Sequence, residues 1–201
     1  MVRGKLHVIS TGTQKPQQLV EIIGQIHPFI DAIHIREKSK TAKEVYEIVM
    51  LLINRNIPLS KIIINDRIDV AYALKAQGVQ LAYHSLPADV VKKQFESLRV
   101  GCSVHSVDDA QLAQQQGADY VILGHIFTTN SKPGLAPKGL ELLQVVSHSV
   151  TIPVLAIGGI KPANVRDVLD AGAKGIAVMS GIMDAKDPLK AVNEYAQQLT
   201  L

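Results

Sequence analysis

The sequence predicts an α/β protein, a single (β/α)8 TIM barrel extending over residues 1–201. Two observations carry this. Short apolar runs alternate with amphipathic, helix-length stretches about eight times, with no shift in composition along the chain. Polar, titratable and glycine residues gather just after the apolar runs, where a parallel barrel places its functional loops. With 47% hydrophobic side chains in 201 residues, there is apolar material for one sizeable core and too little for two comfortable domains. A doubly wound open sheet is the rival; a repeat without any larger interruption favours closure.

Strands are expected, in order, at Leu6–Ile9, Ala32–Ile35, Ile62–Ile64, Val79–Leu81, Val100–Ser103, Tyr120–Leu123, Val154–Ile157 and Gly175–Met179, each short and apolar, as strands buried on both faces are. Between them lie stretches with apolar residues at three- and four-residue spacing, such as Val45, Ile48, Val49, Leu52 and Ile53. In a closed barrel the strand ends and the loops that follow converge on one mouth. That mouth would gather Ser10 and Thr11, His34–Lys38, Asn65-Asp66-Arg67, Tyr83-His84-Ser85, Ser103–Ser106, Gly124-His125, Gly158-Gly159 and Met179-Ser180-Gly181. Five of the seven histidines (His7, His34, His84, His105, His125) fall in or just after strands, whereas His27 and His148 read as helix-end or turn residues.

Composition narrows the function classes. A net charge of +3 comes from scattered Lys and Arg, without a block of like charge or aromatic interleaving, which suits a small anionic ligand better than nucleic acid. The one cysteine, Cys102, excludes an internal disulfide and fits a reducing cytoplasm; inside a strand-like run it reads as inert packing rather than a nucleophile. No signal-peptide pattern opens the chain and no apolar run approaches the roughly 20 residues of a membrane span, so a cytoplasmic protein without membrane partners is expected.

Several constellations carry chemistry. Ala156–Ile160 followed by Lys161–Val165 reads as strand, glycine turn and helix start, a geometry that offers backbone N–H groups to an anion. Met179 and Ser180 end the last strand in the same way, and loops after strands seven and eight form the common phosphate site of such barrels. The glycine pair alone is equally a tight turn. His34 and Arg36 share one face of strand two by the period of two. If that face is inward, Arg36 is neutralised by Glu37, by Asp66 or by an anionic substrate. The polar loop Thr128–Lys138 has the composition of a lid, with Lys132 either closing over an anion or solvated at the surface. His125, at the end of strand six, is a candidate acid–base group or a satisfied core histidine. No H-x-H or H-E-x-x-H pair is present, and no metal site is expected.

His34–Lys38, Ile64-Asn65-Asp66-Arg67, Gly101–His105, Asp119–Lys132, Ala156–Ile160 and Ala177–Ile182, in this order and spanning nearly the whole chain, resemble the thiamin phosphate synthase superfamily. Its synthases join a pyrimidine pyrophosphate to a thiazole phosphate and use Mg²⁺ held by two aspartates, and the resemblance places one of these at Asp66. The second belongs to a Gly-x-x-Asp after strand four, where this chain has Ala82-Tyr83-His84-Ser85; serine is a poor ligand for so hard an ion. Synthase-like sequences also carry Pro where His125 stands. Both departures make the chain similar to the thiazole tautomerase (TenI-like) branch.

That likeness implies a metal-independent isomerase without cofactor, turning the ylidene carboxythiazole phosphate into its aromatic form. His125 would take a proton from the ring carbon and return one to the exocyclic carbon. The likeness implies phosphate binding by Gly158, Gly159, Met179 and Ser180, and carboxylate binding by Arg36 or Lys132 with Lys38 nearby. Asn65, Ser103 and Thr129 match polar positions. Two alternatives stand beside it: a thiamin phosphate synthase, which would need another carboxylate such as Asp89, and a non-catalytic sensor of thiamin-pathway phosphates. A homodimer is expected from the prevalence of two-fold assemblies.

Overall fold

The computed structural model describes residues 3–200. Eight strands, β1 (Lys5–Ile9), β2 (Ala32–Ile35), β3 (Ile62–Asn65), β4 (Gly78–Leu81), β5 (Arg99–Val104), β6 (Tyr120–Gly124), β7 (Val154–Ile157) and β8 (Gly175–Val178), pair in parallel in chain order. The sheet closes where β1 meets β8, with Leu6 beside Ile176, so the open-sheet alternative is set aside. All eight expected strands are present, and their ends move by one residue at most.

The helices α1 (Pro16–Ile26), α2 (Ala42–Asn54), α3 (Ile68–Leu74), α4 (Ala88–Gln94), α5 (Val107–Gln115), α6 (Gly139–Ser149), α7 (Val165–Asp170), α8 (Ser180–Met183) and α9 (Pro188–Gln198) surround the barrel. Their starts have local causes. Thr41 and Glu44 form a reciprocal capping box at α2, Ser106 caps α5, and Asp187 caps α9 just before a proline that the first helical turn tolerates. In α2, Val45, Ile48, Val49 and Leu52 are buried, whereas Ile53 is only partly covered.

Strand side chains divide by the period of two. Leu6, Val8, Ile33, Ile35, Ile62, Ile64, Val121 and Leu123 point outward into the layer shared with the helices, each contributing roughly 1.5–3 kcal/mol of burial. The inward set is a small apolar group including Ile9, Ala32, Ile63, Tyr120, Ile122, Leu155 and Ala177. Polar residues share this interior: His7, His34 and Gln80 are all buried. His7 Nδ1 and His34 Nε2 are 2.9 Å apart, one donating and the other accepting. Gly101 makes room here, since a Cβ at that position would lie 2.2 Å from Cζ of Tyr120. His34 therefore does not enter the mouth with Arg36. It stays below, inside the barrel, while the chain leaves β2 before Arg36.

Candidate functional site

The carboxyl ends of the strands form a mouth divided into separate cavities. Between β7 and β8 a cavity of about 310 Å³ is lined by Gly158, Gly159, Met179, Ser180 and Thr129, five of the expected site residues, together with Lys161. Gly158 and Gly159 adopt positive φ values of 97° and 66°. At Gly159 a Cβ would lie 2.5 Å from the Thr128 carbonyl oxygen and 2.7 Å from that of Phe127, so a side chain is excluded by the neighbouring loop. Here the glycine serves close packing of β6 and β7 backbones as well as turn geometry. Among the described residues the N–H groups of Gly159 and Ile160 donate to no protein group, leaving them available to an acceptor. The Tyr195 hydroxyl donates to the Ile160 carbonyl at 2.9 Å and holds this turn from α9.

On the β2–β4 side, Arg36, Lys38 and Asn65 line a second cavity of about 280 Å³ with Glu37, Lys40, Asp66, Arg67 and His84. Of the three expected fates for Arg36, neither protein partner is realised. Glu37 accepts from Ser10 Oγ at 2.7 Å and forms its ion pair with Lys40. Asp66 Oδ1 accepts from Ser85 Oγ at 2.6 Å, and its Oδ2 is 3.4 Å from His84 Nε2. Arg36 is thus without an ionic partner among the described residues, while its own N–H donates to Ser10 Oγ at 2.8 Å, fixing the backbone. Asp66 sits at φ 61°, a left-handed conformation that Asp tolerates better than most residues.

Ser103 is in neither group. It lines a third cavity with Cys102, Ser85 and His105 and accepts from Gln80 Nε2 at 3.1 Å. The Cys102 thiol is pushed up to about 11 by burial, with Asp119 adding, as an inert cysteine should be. His125 and Lys132 line a fourth cavity with His105, Leu135 and Lys138. His125 is buried, and its Nε2 is 3.3 Å from the Leu135 carbonyl. Its own carbonyl accepts from Lys138 N–H at 2.8 Å, and Ile126 O accepts from Gly139 N–H at 3.0 Å. His125 thus clamps the base of the 128–138 loop, whose outer residues, Lys132 included, are exposed. The imidazole lines the neighbouring cavity with Lys132 and not the one lined by Gly159 and Ser180, while the His125 backbone packs against Gly158, where a Cβ would lie 2.2 Å from that of His125.

Three participants escaped the sequence reading. Lys161 directly follows Gly158-Gly159-Ile160, a signal present in the sequence but read only as a helix start. Lys40 stands three residues from Glu37, ion-pair spacing in a turn as in a helix. Tyr195 has no local signal, because it reaches the site from 35 residues away.

A family model described as thiamine monophosphate synthase matches residues 6–182. The chain is 40% identical over 192 residues to the thiamine-phosphate synthase of Pyrococcus furiosus, covering 94% of this chain and 92% of that one. It is also 40% identical over 167 residues to the thiamine-phosphate synthase of Clostridium tetani, covering 81% and 78% respectively. Among solved structures, the thiamine phosphate pyrophosphorylase from Pyrococcus furiosus superposes with a TM-score of 0.83 at 36% identity, covering 97% of this chain and 95% of the other. A 3-hexulose-6-phosphate synthase, at TM-score 0.74 and 20% identity, shares the fold.

These relatives overturn the expectation of a thiazole tautomerase: the proteins similar over nearly the whole chain are synthases, which are transferases and not isomerases. The isomerase reading rested on two single-residue departures, Ser85 and His125, and the structure gives both a local role, one bonded to Asp66 and the other at the loop base. By its match over most of its length, the chain belongs to the thiamine monophosphate synthase family.

Proposed function

We propose that this protein is a transferase of the thiamine-phosphate synthase type, joining a pyrimidine pyrophosphate to a thiazole phosphate. Its likeness to the Pyrococcus furiosus synthase over 94% of the chain supports the reading. The observation that carries it is the division of the mouth into two anion-complementary cavities, one for each phosphorylated substrate. Gly158, Gly159, Met179 and Ser180 hold the thiazole phosphate, with Lys161 adding charge and Thr129 closing the side. Arg36 and Lys38 meet the pyrophosphate, and Asn65 offers its amide beside them. Ser103 and Lys132 line the two further cavities of the mouth and are outer contacts in this reading.

The residues do not fit an Mg²⁺ site of two aspartates. Asp66 is the one carboxylate at the matching positions, and both its oxygens already face protein groups, Ser85 and His84. Among the described residues no group of three or more His, Cys, Asp or Glu side chains is placed to hold a metal. The surrounding charge is also of the wrong sign for a cation, since Arg36, Lys38, Lys40 and Arg67 outnumber Glu37 and Asp66. The negative charge that develops on departing pyrophosphate therefore falls to these side chains, as preorganised donors whose orientation is set before the reaction. Coupling forms one bond from the thiazole to the carbon of the pyrimidine substrate that carries the pyrophosphate, and that carbon's bond to oxygen breaks as pyrophosphate leaves; His125 contributes by holding the loop, and no proton transfer is assigned to it.

The test supplies purified protein with both substrates, with MgCl2 and separately with EDTA, and follows the coupled phosphate ester by mass spectrometry. Coupled product in both conditions is expected. Binding of both substrates without product overturns the transferase and favours a second reading, a protein that binds these phosphates without turnover. The engagement of Asp66 by Ser85 and His84 is the observation behind that second reading.

A further inference from the structure

The opposite end of the barrel holds a larger cavity, about 670 Å³, at the rim where β1, β5 and β6 begin. Five cationic side chains, Arg3, Lys5, Arg99, Arg166 and Lys174, line it against two carboxylates, Asp31 and Asp170. Asp31 lies 2.9 Å from Lys5 and 3.8 Å from Arg3, and Asp170 is 3.3 Å from Arg166. Arg99 and Lys174 have no ionic partner among the described residues. The Arg99 guanidinium lies over the Tyr120 ring, 4.8 Å from its centroid, so its charge is held at the cavity wall.

The excess charge is felt inside the barrel. His7, which lines the cavity, is pushed down to about 3, first by burial and then by Arg99 and Lys5. Leu155, Leu169 and Leu199 supply an apolar wall. Two polar atoms of lining residues, the Tyr120 hydroxyl and Gln77 Oε1, are buried without a hydrogen-bond partner among the described residues. The volume falls within the roughly 300–1,000 Å³ of small-molecule sites, which combine apolar walls with a few polar groups in the same way.

We propose that this lower cavity is a second binding site, taking a phosphorylated small molecule of nucleotide size whose phosphate meets Arg99 and Lys174 and whose planar body lies on the leucine wall. Two cations without an ionic partner among the described residues favour an anion at this rim, and guanidinium offers the fork that a phosphate accepts. Nothing in this site depends on the reaction at the mouth.

Adenosine 5′-monophosphate is the probe, titrated calorimetrically into the full chain. Lys174→Glu reverses an exposed charge at the lower rim without touching the core, and Arg99→Gln removes the second cation. Ser180→Asp places a negative charge in the mouth cradle instead. Affinity reduced about tenfold or more by the two lower substitutions, and unchanged by Ser180→Asp, is the expected result. Loss confined to Ser180→Asp shows that the nucleotide enters only the mouth and overturns the proposal. Absence of binding at millimolar probe overturns it as well. Should Arg99→Gln fail to fold, Lys174→Glu alone decides.

Discussion

The two sides of the mouth solve the same electrostatic task with different materials. Between β7 and β8 the cradle is mostly backbone: two glycines at positive φ, free N–H groups and a turn held by Tyr195. Between β2 and β4 it is mostly side chain, with Arg36 left without an ionic partner among the described residues because Ser10 and Lys40 occupy Glu37 while Ser85 and His84 occupy Asp66. A backbone cradle is rigid, cannot titrate and is broken by adding atoms. A cradle of side chains is adjustable, is screened by salt and is broken by removing charge.

That contrast is open to direct attack, beginning with the largest effect. Gly159→Val forces a β-branched residue into φ 66° with its Cβ within 2.5 Å of a carbonyl oxygen. A loss of about 3 kcal/mol or more in urea unfolding and collapse of thiazole phosphate affinity are expected, with pyrophosphate affinity less affected. Equal loss on both sides would show that the two cavities are one mechanical unit.

The interior beneath the β2 side supplies the next test. His7 and His34 are held neutral, chiefly by burial, with folded values below the ordinary 6.5. The unfolded chain therefore takes up more protons in acid. The stability linked to them is complete above about pH 6.5 and declines as pH falls below it, for His7 down to about 3, by up to about 1.4 kcal/mol per pH unit for each proton taken up. Urea midpoints from about pH 7 to about pH 4 measure the slope, and His7→Leu should flatten it. An unchanged slope in that variant would remove His7 as a source of acid sensitivity.

Arg36→Ala comes next. Truncating an unpaired guanidinium should weaken the pyrophosphate substrate by about 1.5–3 kcal/mol, the range of hydrogen bonds to charged groups, and leave thiazole phosphate binding near its original value. Direct titration of each ligand separates the two, and equal weakening of both would erase the division of labour. Lys132→Ala should be the mildest change, within about 0.5 kcal/mol for either ligand, because the side chain is exposed on the outer loop. A large loss there would mean that the loop closes over substrate.

The repeat of apolar runs determined the eight strands and favoured a barrel, because strands buried on both faces need continuous apolar sequence whatever their neighbours are, while closure itself was decided by the pairing of β1 with β8. The same pattern determined which loops meet at the mouth, and Gly158-Gly159 and Met179-Ser180 could be grouped from it. The pairing of charges belonged to the tertiary structure. Whether Arg36 met Glu37, Asp66 or neither depended on Ser10 and Lys40 reaching Glu37 first, and on Ser85 and His84 reaching Asp66 across the β3 and β4 loops. The His7–His34 contact, the turn held by Tyr195 and the basic cavity under the barrel arose in the same way, from residues far apart in the chain. Periodicity in sequence reports the environment a backbone segment requires; the partner of a particular polar atom is set within a few ångströms, and only the closed barrel brings those atoms together.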